Sequence, residues 1–162
     1  MTKHSPAEAP ANGEHPRVVH IHVADKHRGA MREIPAARLV AGRGIEGDRY
    51  FGTGKGQDIS LVQEEHLRAA CLSIGAPYLP GASRRNLTVR GCDLNRFLGR
   101  EFLVGTVRLL GRELCEPCAW MEWNIGKGSL QALLQRAGIL AQVLESGLIR
   151  PGDSISIPDP PS

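Results

Sequence analysis

Hydrophobic and polar residues alternate in several short stretches of the chain, a pattern typical of strands with one buried face. In the first stretch, Arg17–Val23, the residues Val19, Ile21 and Val23 alternate with histidines and are expected to point inward. Similar runs predict strands at residues 36–40, 58–62, 86–89, 101–104, 107–110, 140–145 and 154–157. Glycines separate many of these runs, at intervals typical of an antiparallel meander or barrel.

Two segments instead carry apolar residues at helical spacing. Residues 64–74 predict an amphipathic helix that ends at Gly75, and residues 129–136 predict a second one. The expected fold class is therefore mostly β, a β-barrel-like domain of antiparallel strands with a few inserted helices.

The length of 162 residues and the hydrophobic content of 41% suit one packed domain. We place this domain at residues 17–157, between an N-terminal tail at 1–16 and a C-terminal tail at 158–162. The N-terminal tail has no apolar stretch that would serve as a signal sequence or a membrane span. We therefore expect a soluble, cytoplasmic protein with reduced cysteines and no membrane contact.

The formal net charge is only +3, and the basic residues are scattered along the chain. This argues against a nucleic-acid partner, which is usually bound by a dense basic patch. Local positive clusters occur at Arg84-Arg85 and in the loop from Arg43 to Lys55. These clusters suit a small anionic ligand better than a duplex.

Residues Gly42–Gly47 match the dinucleotide-binding pattern GxGxxG. That motif requires a helix to begin inside it, yet the chain continues as a glycine-rich loop up to Gly56. We expect a turn with positive φ angles rather than a nucleotide site, and no regular element within the loop.

The histidines His20, His22 and His27 allow a metal site to be imagined near the N-terminus. No carboxylate or thiol at fixed spacing completes it, and outward polar positions on an edge strand explain the same pattern.

The pair Cys115-Glu116-Pro117-Cys118 carries the strongest chemical signal. Four interpretations are open. The pair is half of a zinc site, a redox-active dithiol, a buried structural pair, or a reactive thiol next to a second cysteine that assists it. Pro117 places Cys118 at the start of a predicted helical turn, where backbone N–H groups would lower a thiol pKa. Cys118 is therefore the better candidate for nucleophile or metal ligand.

The other candidate residues, two tryptophans and a basic segment, each allow a structural and a functional interpretation. Trp120 and Trp123 either line a pocket above the thiol or fill the core. Arg84, Arg85 and Asn86 lead into a strand, either as a solvated turn or as a phosphate-binding group.

Taken in order, several segments resemble the MOSC domain, named after the C-terminal part of molybdenum cofactor sulfurases. The matching segments are residues 44–50 (GIEGDRY), 85–87 (RNL), 98–100 (LGR) with 104–105, 116–118 (EPC), and 138–143 with 147 and 151–153. The resemblance covers about residues 34–157 and implies a β-rich, barrel-like fold.

The resemblance also implies a functional thiol at Cys118, either as a carrier of persulfide sulfur or as a ligand of molybdenum. It further implies that Arg85 and Asn86, next to Arg84, contact molybdopterin or its phosphate, and that Asp48 and Arg49 shape the same cleft. Cys115 would either resolve a persulfide on Cys118 or contact Cys118 without touching the ligand itself. The activity would be that of a sulfurtransferase or of a molybdenum-dependent reductase of N-oxygenated compounds.

Two departures from the family pattern stand out: Arg84-Arg85 replaces a Gly-Glu pair, and the usual single cysteine is a pair. The sequence shows neither the N-terminal barrel of the amidoxime reducers nor the aminotransferase-like domain of the sulfurases, so we expect chemistry independent of pyridoxal phosphate. The expected partners are a small anionic cofactor or sulfur donor, together with an electron-transfer protein or a molybdoenzyme. The alternatives are a non-catalytic module that delivers molybdopterin or sulfur, and a cofactor-free dithiol oxidoreductase.

Overall fold

The computed structural model describes residues 15–54 and 56–158. Its strands are β1 (Arg17–Val23), β2 (Arg32–Glu33), β3 (Ala37–Val40), β4 (Gly44–Ile45), β5 (Ile59–Gln63), β6 (Leu87–Arg90), β7 (Glu101–Val104), β8 (Val107–Leu114), β9 (Ile139–Val143), β10 (Gly147–Ile149) and β11 (Ile155–Ser156). Its helices are α1 (Glu64–Ile74), α2 (Ala119–Ile125) and α3 (Ser129–Ala132), with a 3₁₀ helix at Leu94–Phe97. Most of the two predicted tails, residues 1–14 and 159–162, lies outside the described residues.

The strands form a large curled sheet and a small one. The large sheet has the order β11–β7–β8–β9–β5–β6–β1–β2, and the small sheet has the order β10–β3–β4. Neighbouring strands are antiparallel except β5 and β6, which run parallel. A parallel pair needs a crossover connection, and α1 lies in the one between β5 and β6. The large sheet curls into a half-barrel, which confirms the predicted fold class.

The hydrophobic interior has two parts. The main core lies between the sheets and contains fully buried residues such as Ile21, Leu39 and Leu109. A smaller cluster joins the helices to the large sheet, with Met121 of α2 packed near Val62 of β5. Since Met121 is only 2% exposed, this contact fixes α2 on the sheet and with it the residues that begin the helix.

Most of the predicted elements are present, and several differ in their limits. The bounds of β1, α1 and β7 agree with the prediction, whereas the helix predicted at 129–136 stops at Ala132. Residues after Ala132 leave the helical conformation, and Gln135 has a φ of 63°. The glycine-rich loop does contain a regular element, β4, because Ile45 pairs with Leu39 of β3.

One close backbone approach positions the cysteine loop. Gly138 has a φ of 106°, and a Cβ atom there would lie 1.9 Å from the carbonyl oxygen of Leu61. The carbonyl of Gly138 in turn accepts a hydrogen bond from the Cys115 N–H at 2.8 Å. Because only glycine fits so close to β5, this residue sets where the chain leaves β8.

Candidate functional site

A cavity of about 450 Å³ lies where β5 and β6 begin and β8 ends. Its wall includes Arg49, Arg84, Arg85, Asn86, Cys115 and Cys118. The structure therefore brings together every predicted site residue except Asp48, which lies directly behind Arg49.

The two thiols at the cavity differ in exposure. Cys118 is exposed and occupies the N-cap position of α2 without a capping hydrogen bond from its side chain, whereas Cys115 is partly buried. Burial raises the pKa of Cys115, and the guanidinium of Arg85 opposes that change. The exposure of Cys118 contradicts the reading of a buried structural pair.

Arg85 fixes the cysteine loop from inside the molecule. Its Nε donates to the carbonyl oxygen of Ala137 at 2.9 Å, and its Nη2 donates to that of Cys115 at 2.7 Å. Burial lowers the pKa of Arg85, while the nearby thiols of Cys115 and Cys118 act in the opposite sense. An arginine keeps its positive charge near neutral pH, so a buried cation lies beside both thiols.

Asp48 and Arg49 form a buried ion pair at the side of the cavity. Asp48 Oδ1 accepts hydrogen bonds from Arg49 Nη1 at 2.9 Å and from the Ala24 N–H at 3.1 Å. Arg49 also donates from Nη2 to the carbonyl oxygen of Arg84 at 3.2 Å and stacks on Tyr50. Arg49 therefore lies in the cavity wall, and Asp48 holds it from behind.

The side chain of Asn86 connects three strands. Its Oδ1 accepts from the Ser60 N–H at 3.0 Å, and its Nδ2 donates to the carbonyl oxygen of His22 at 3.1 Å. These bonds hold the start of β6 between β5 and β1. Asn86 lines the cavity with an amide group already engaged in the fold.

The arginines around the cavity repel one another. Burial and the charge of Arg49 lower the pKa of Arg84. In the described ranges, no carboxylate lies within 4.0 Å of Arg84 or Arg85. Asp58 also lines the wall, where its Oδ2 accepts a hydrogen bond from the Val143 N–H. With three guanidiniums and the two carboxylates of Asp48 and Asp58, this wall keeps a net positive charge.

Two buried N–H groups on the cavity wall lack an acceptor. Arg49 Nε and Trp120 Nε1 make no hydrogen bond within the part of the chain that the structure describes. A buried donor without a partner is costly, so both groups favour a ligand that carries acceptors. The donor set and the charge therefore fit an anionic, oxygen-rich group such as the phosphate of molybdopterin.

The two tryptophans have different environments. Trp120 is partly buried and lines the cavity, as one of the two readings of the sequence proposed. Trp123 is 78% exposed and therefore fills no core.

The histidines of β1 both approach Glu33. His20 and His22 lie on either side of Glu33, with His20 Nδ1 at 2.8 Å and His22 Nε2 at 3.7 Å from its carboxylate oxygens. Among residues 15–54 and 56–158, no group of three or more His, Cys, Asp or Glu is arranged to hold a metal ion. The expectation of outward positions on an edge strand was wrong for His22, which is 3% exposed on a strand paired on both sides.

The glycine pattern at 42–47 forms turns, as predicted. Gly42, Gly44 and Gly47 all have positive φ angles, and no helix begins among them. The segment therefore lacks the helix N-terminus that the dinucleotide motif requires.

Several residues of the cavity wall were not predicted as site residues, and Ser60 is one of them. Ser60 lines the cavity from β5, and its hydroxyl donates a hydrogen bond to Asn86 Oδ1. The alternation along β5 is the signal for this position, because Ser60 lies between the buried residues Ile59 and Leu61. Arg28 is not part of the cavity lining, but its guanidinium carbon lies 5.1 Å from the centre of the Trp120 ring, which is. No sequence signal marks Arg28, because it belongs to a polar loop without periodicity.

Comparison with known proteins identifies the family. The MOSC domain model matches residues 48–156, which is more than half of the chain. The chain belongs to the MOSC domain family. This match confirms the resemblance seen in the sequence, and it includes Cys115, Cys118, the three wall arginines, Asn86 and Asp48.

Solved structures show the same MOSC fold. The YuaD protein from Bacillus subtilis is 20% identical with a TM-score of 0.74, over 88% of this chain and 94% of that one. YiiM from Geobacillus stearothermophilus is 19% identical with a TM-score of 0.69, over 89% of this chain and 75% of that one. YiiM from Escherichia coli is 17% identical with a TM-score of 0.67, over 90% and 71% respectively.

No curated protein matches the chain in sequence. None of the helices in the described ranges combines the length and the apolar character needed to cross a bilayer.

Proposed function

We propose that this MOSC domain binds the molybdenum cofactor in its cavity and uses Cys118 as the protein ligand of the metal. One observation carries the proposal: an exposed thiol lies at a cavity whose wall holds three arginines and unpaired buried N–H groups. A soft thiolate suits molybdenum, and the arginines suit the anionic parts of the pterin.

Each residue has a defined task in this proposal. Arg84 and Arg85 bind the anionic groups of the pterin, and Arg49 adds its unpartnered Nε as a further donor. Trp120 donates from Nε1 to a pterin acceptor. When bound, the cofactor would supply two-electron reduction of N-oxygenated substrates. Arg85 in addition holds the Cys115 carbonyl, so it fixes the position of the loop that ends at Cys118.

A second candidate function is favoured by the presence of Cys115 at the same cavity. As a sulfur carrier, the thiolate of Cys118 would attack the terminal sulfur of a donor persulfide and take it over, while the donor leaves as a thiolate. The thiolate of Cys115 would then attack Sγ of Cys118, releasing hydrosulfide and forming the Cys115–Cys118 disulfide. This cycle needs a thiol reductant to restore both thiols.

Native mass spectrometry of protein purified anaerobically from a host that makes molybdopterin tests the proposal, with elemental analysis for molybdenum. The expected result is a mass increase of one cofactor with about one molybdenum per chain. It should fall well below one cofactor per chain in Cys118→Ser, in which the arginines of the wall alone retain the pterin, and it should be kept in full in the matched control Cys92→Ser, since Cys92 lies outside the cavity lining.

The other outcomes have clear meanings. A mass increase of one sulfur on Cys118 without molybdenum would support the carrier function instead. Protein without any adduct in an active host would contradict both functions and favour the dithiol reading. A carrier or delivery module would load once and stop, whereas an enzyme would turn over repeatedly.

A further inference from the structure

The loop between β1 and β2 places an additional guanidinium beside Trp120, a residue of the cavity wall. Arg28 is exposed, and its guanidinium carbon lies 5.1 Å from the centre of the Trp120 ring. Trp120 lines the cavity two residues after Cys118, so Arg28 contacts a wall residue that is close to the thiol in the chain.

This loop is held against the cavity wall by several hydrogen bonds. Arg84 Nη1 donates to the carbonyl oxygen of Gly29 at 2.8 Å, next to Arg28 in the chain. At the start of the loop, the Ala24 N–H donates to Asp48 Oδ1, and the carbonyl of Ala24 accepts from the Arg49 N–H at 2.8 Å. Residues of the wall therefore anchor the loop on both sides of Arg28.

The charge of Arg28 is not neutralised by the surrounding residues. Asp25, the acidic residue of the loop, pairs with Arg32 at 3.2 Å. Within the described residues, no carboxylate lies within 4.0 Å of the guanidinium of Arg28. Its contact with the Trp120 ring is a cation–π interaction, which is weak at an exposed position. A carboxylate or phosphate would bind the same guanidinium more strongly through paired hydrogen bonds.

We propose that Arg28 and Trp120 form a subsite that selects substrates with a ring and an oxyanion group, either a carboxylate or a phosphate. Arg28 binds the oxyanion, and the ring of the substrate lies beside Trp120 on the way to Cys118. This inference rests on the proposed function only in taking the ligand to be the substrate presented to Cys118. It applies whether Cys118 ligates molybdenum or carries sulfur.

The chain offers a direct reporter, since it contains two tryptophans. In a Trp123→Phe background, Trp120 is the remaining indole, and its fluorescence reports on ligands at the subsite. The probes are phenyl phosphate, benzoate and the neutral benzamide, each titrated into the full chain. We expect saturable changes with the two anionic probes, at least about tenfold tighter binding than benzamide, and weaker binding at high salt. The ratio of the two anionic dissociation constants shows which oxyanion the subsite prefers.

Arg28→Gln tests the residue itself. It should raise the dissociation constants of the anionic probes about tenfold and leave that of benzamide unchanged. Arg38→Gln is the matched control, because Arg38 is an exposed arginine on β3 outside the cavity lining. Circular dichroism checks that both variants are folded.

Equal dissociation constants in Arg28→Gln and the parent chain would overturn the subsite, even if molybdenum binds. Benzamide binding as tight as benzoate would overturn it as well. If Arg28→Gln has the tenfold effect but the chain binds no cofactor, the subsite stands and only the cofactor proposal is contradicted.

Discussion

Arg85 reaches from the segment before β6 to the cysteine loop, where its Nη2 donates to the carbonyl oxygen of Cys115 at 2.7 Å. The Nε of the same side chain donates to the carbonyl of Ala137 at 2.9 Å. One buried cation therefore ties together the two chain segments that border the thiols. The position of Cys118 depends on this contact, because the loop from Cys115 leads directly into α2.

Replacing Arg85 by methionine should both destabilise the protein and loosen the cysteine loop. The buried carbonyl of Ala137 and the partly buried carbonyl of Cys115 would lose their donor, so we expect the free energy of unfolding to fall by about 2 kcal/mol. Urea denaturation measures this change. Arg100→Met, at an exposed position, should change the free energy of unfolding by less than about 0.5 kcal/mol. Equal stability of the two variants would show that Arg85 does not hold the loop.

The buried pair of Asp48 and Arg49 predicts a large effect of Asp48→Asn. The side chains are 2% and 6% exposed, so the change leaves an uncompensated buried charge and should cost about 3 kcal/mol. Glu46→Gln is the control, because the 3.9 Å pair of Glu46 with Arg38 is exposed and contributes little. Thermal unfolding of both variants gives the comparison, and a mild effect of Asp48→Asn would argue against a buried ion pair at the cleft.

Gly138 and Gly42 form a matched pair for testing the close approach to β5. Both have positive φ angles, but a Cβ at Gly138 meets the carbonyl oxygen of Leu61 at 1.9 Å, whereas a Cβ at Gly42 meets nothing within 4 Å. We expect Gly42→Ala to cost about 1 kcal/mol and Gly138→Ala more than about 4 kcal/mol. Chemical denaturation measures the free energy of unfolding of both variants. Similar losses in the two would mean that the positive φ angle, and not the contact with Leu61, restricts position 138.

The raised pKa of Cys115 predicts a pH dependence of its alkylation. A thiol with a raised pKa holds its proton to higher pH, and only the thiolate reacts. In Cys118→Ser, the rate of Cys115 modification by iodoacetamide should therefore reach half its maximum above the ordinary cysteine pKa. Peptide mass spectrometry resolves Cys115 from Cys71 and Cys92. Half-maximal reaction at or below the ordinary value would contradict the burial of this thiol.

The sequence predicted α1 well because two independent signals agreed. Its apolar residues repeat at helical spacing, and Gly75 ends the helix with a φ of 70°. The face of β1 was predicted less well. A bulge between Val18 and His20 shifts the register, so Val18 and His22 are buried while Val19 is only partly so. A single extra residue reverses the faces of a strand, and alternation alone does not reveal it.

The candidate site was predictable where its residues belong to the family's ordered motifs, as for Arg85 and Cys118. Arg28 was not predictable, since its place at the cavity depends on the bond from Arg84 to Gly29. The short strands β2, β4 and β10 were missed for a related reason. With two or three residues each, they form through pairing with distant strands and carry no periodic pattern.

The most direct test of the central claim is X-ray absorption at the molybdenum edge, on chain loaded with the cofactor. We predict that the wild-type protein shows one more sulfur ligand to molybdenum than Cys118→Ser, while Cys115→Ser matches the wild type. Identical sulfur coordination in the wild-type protein and Cys118→Ser would contradict the claim that Cys118 is the metal ligand.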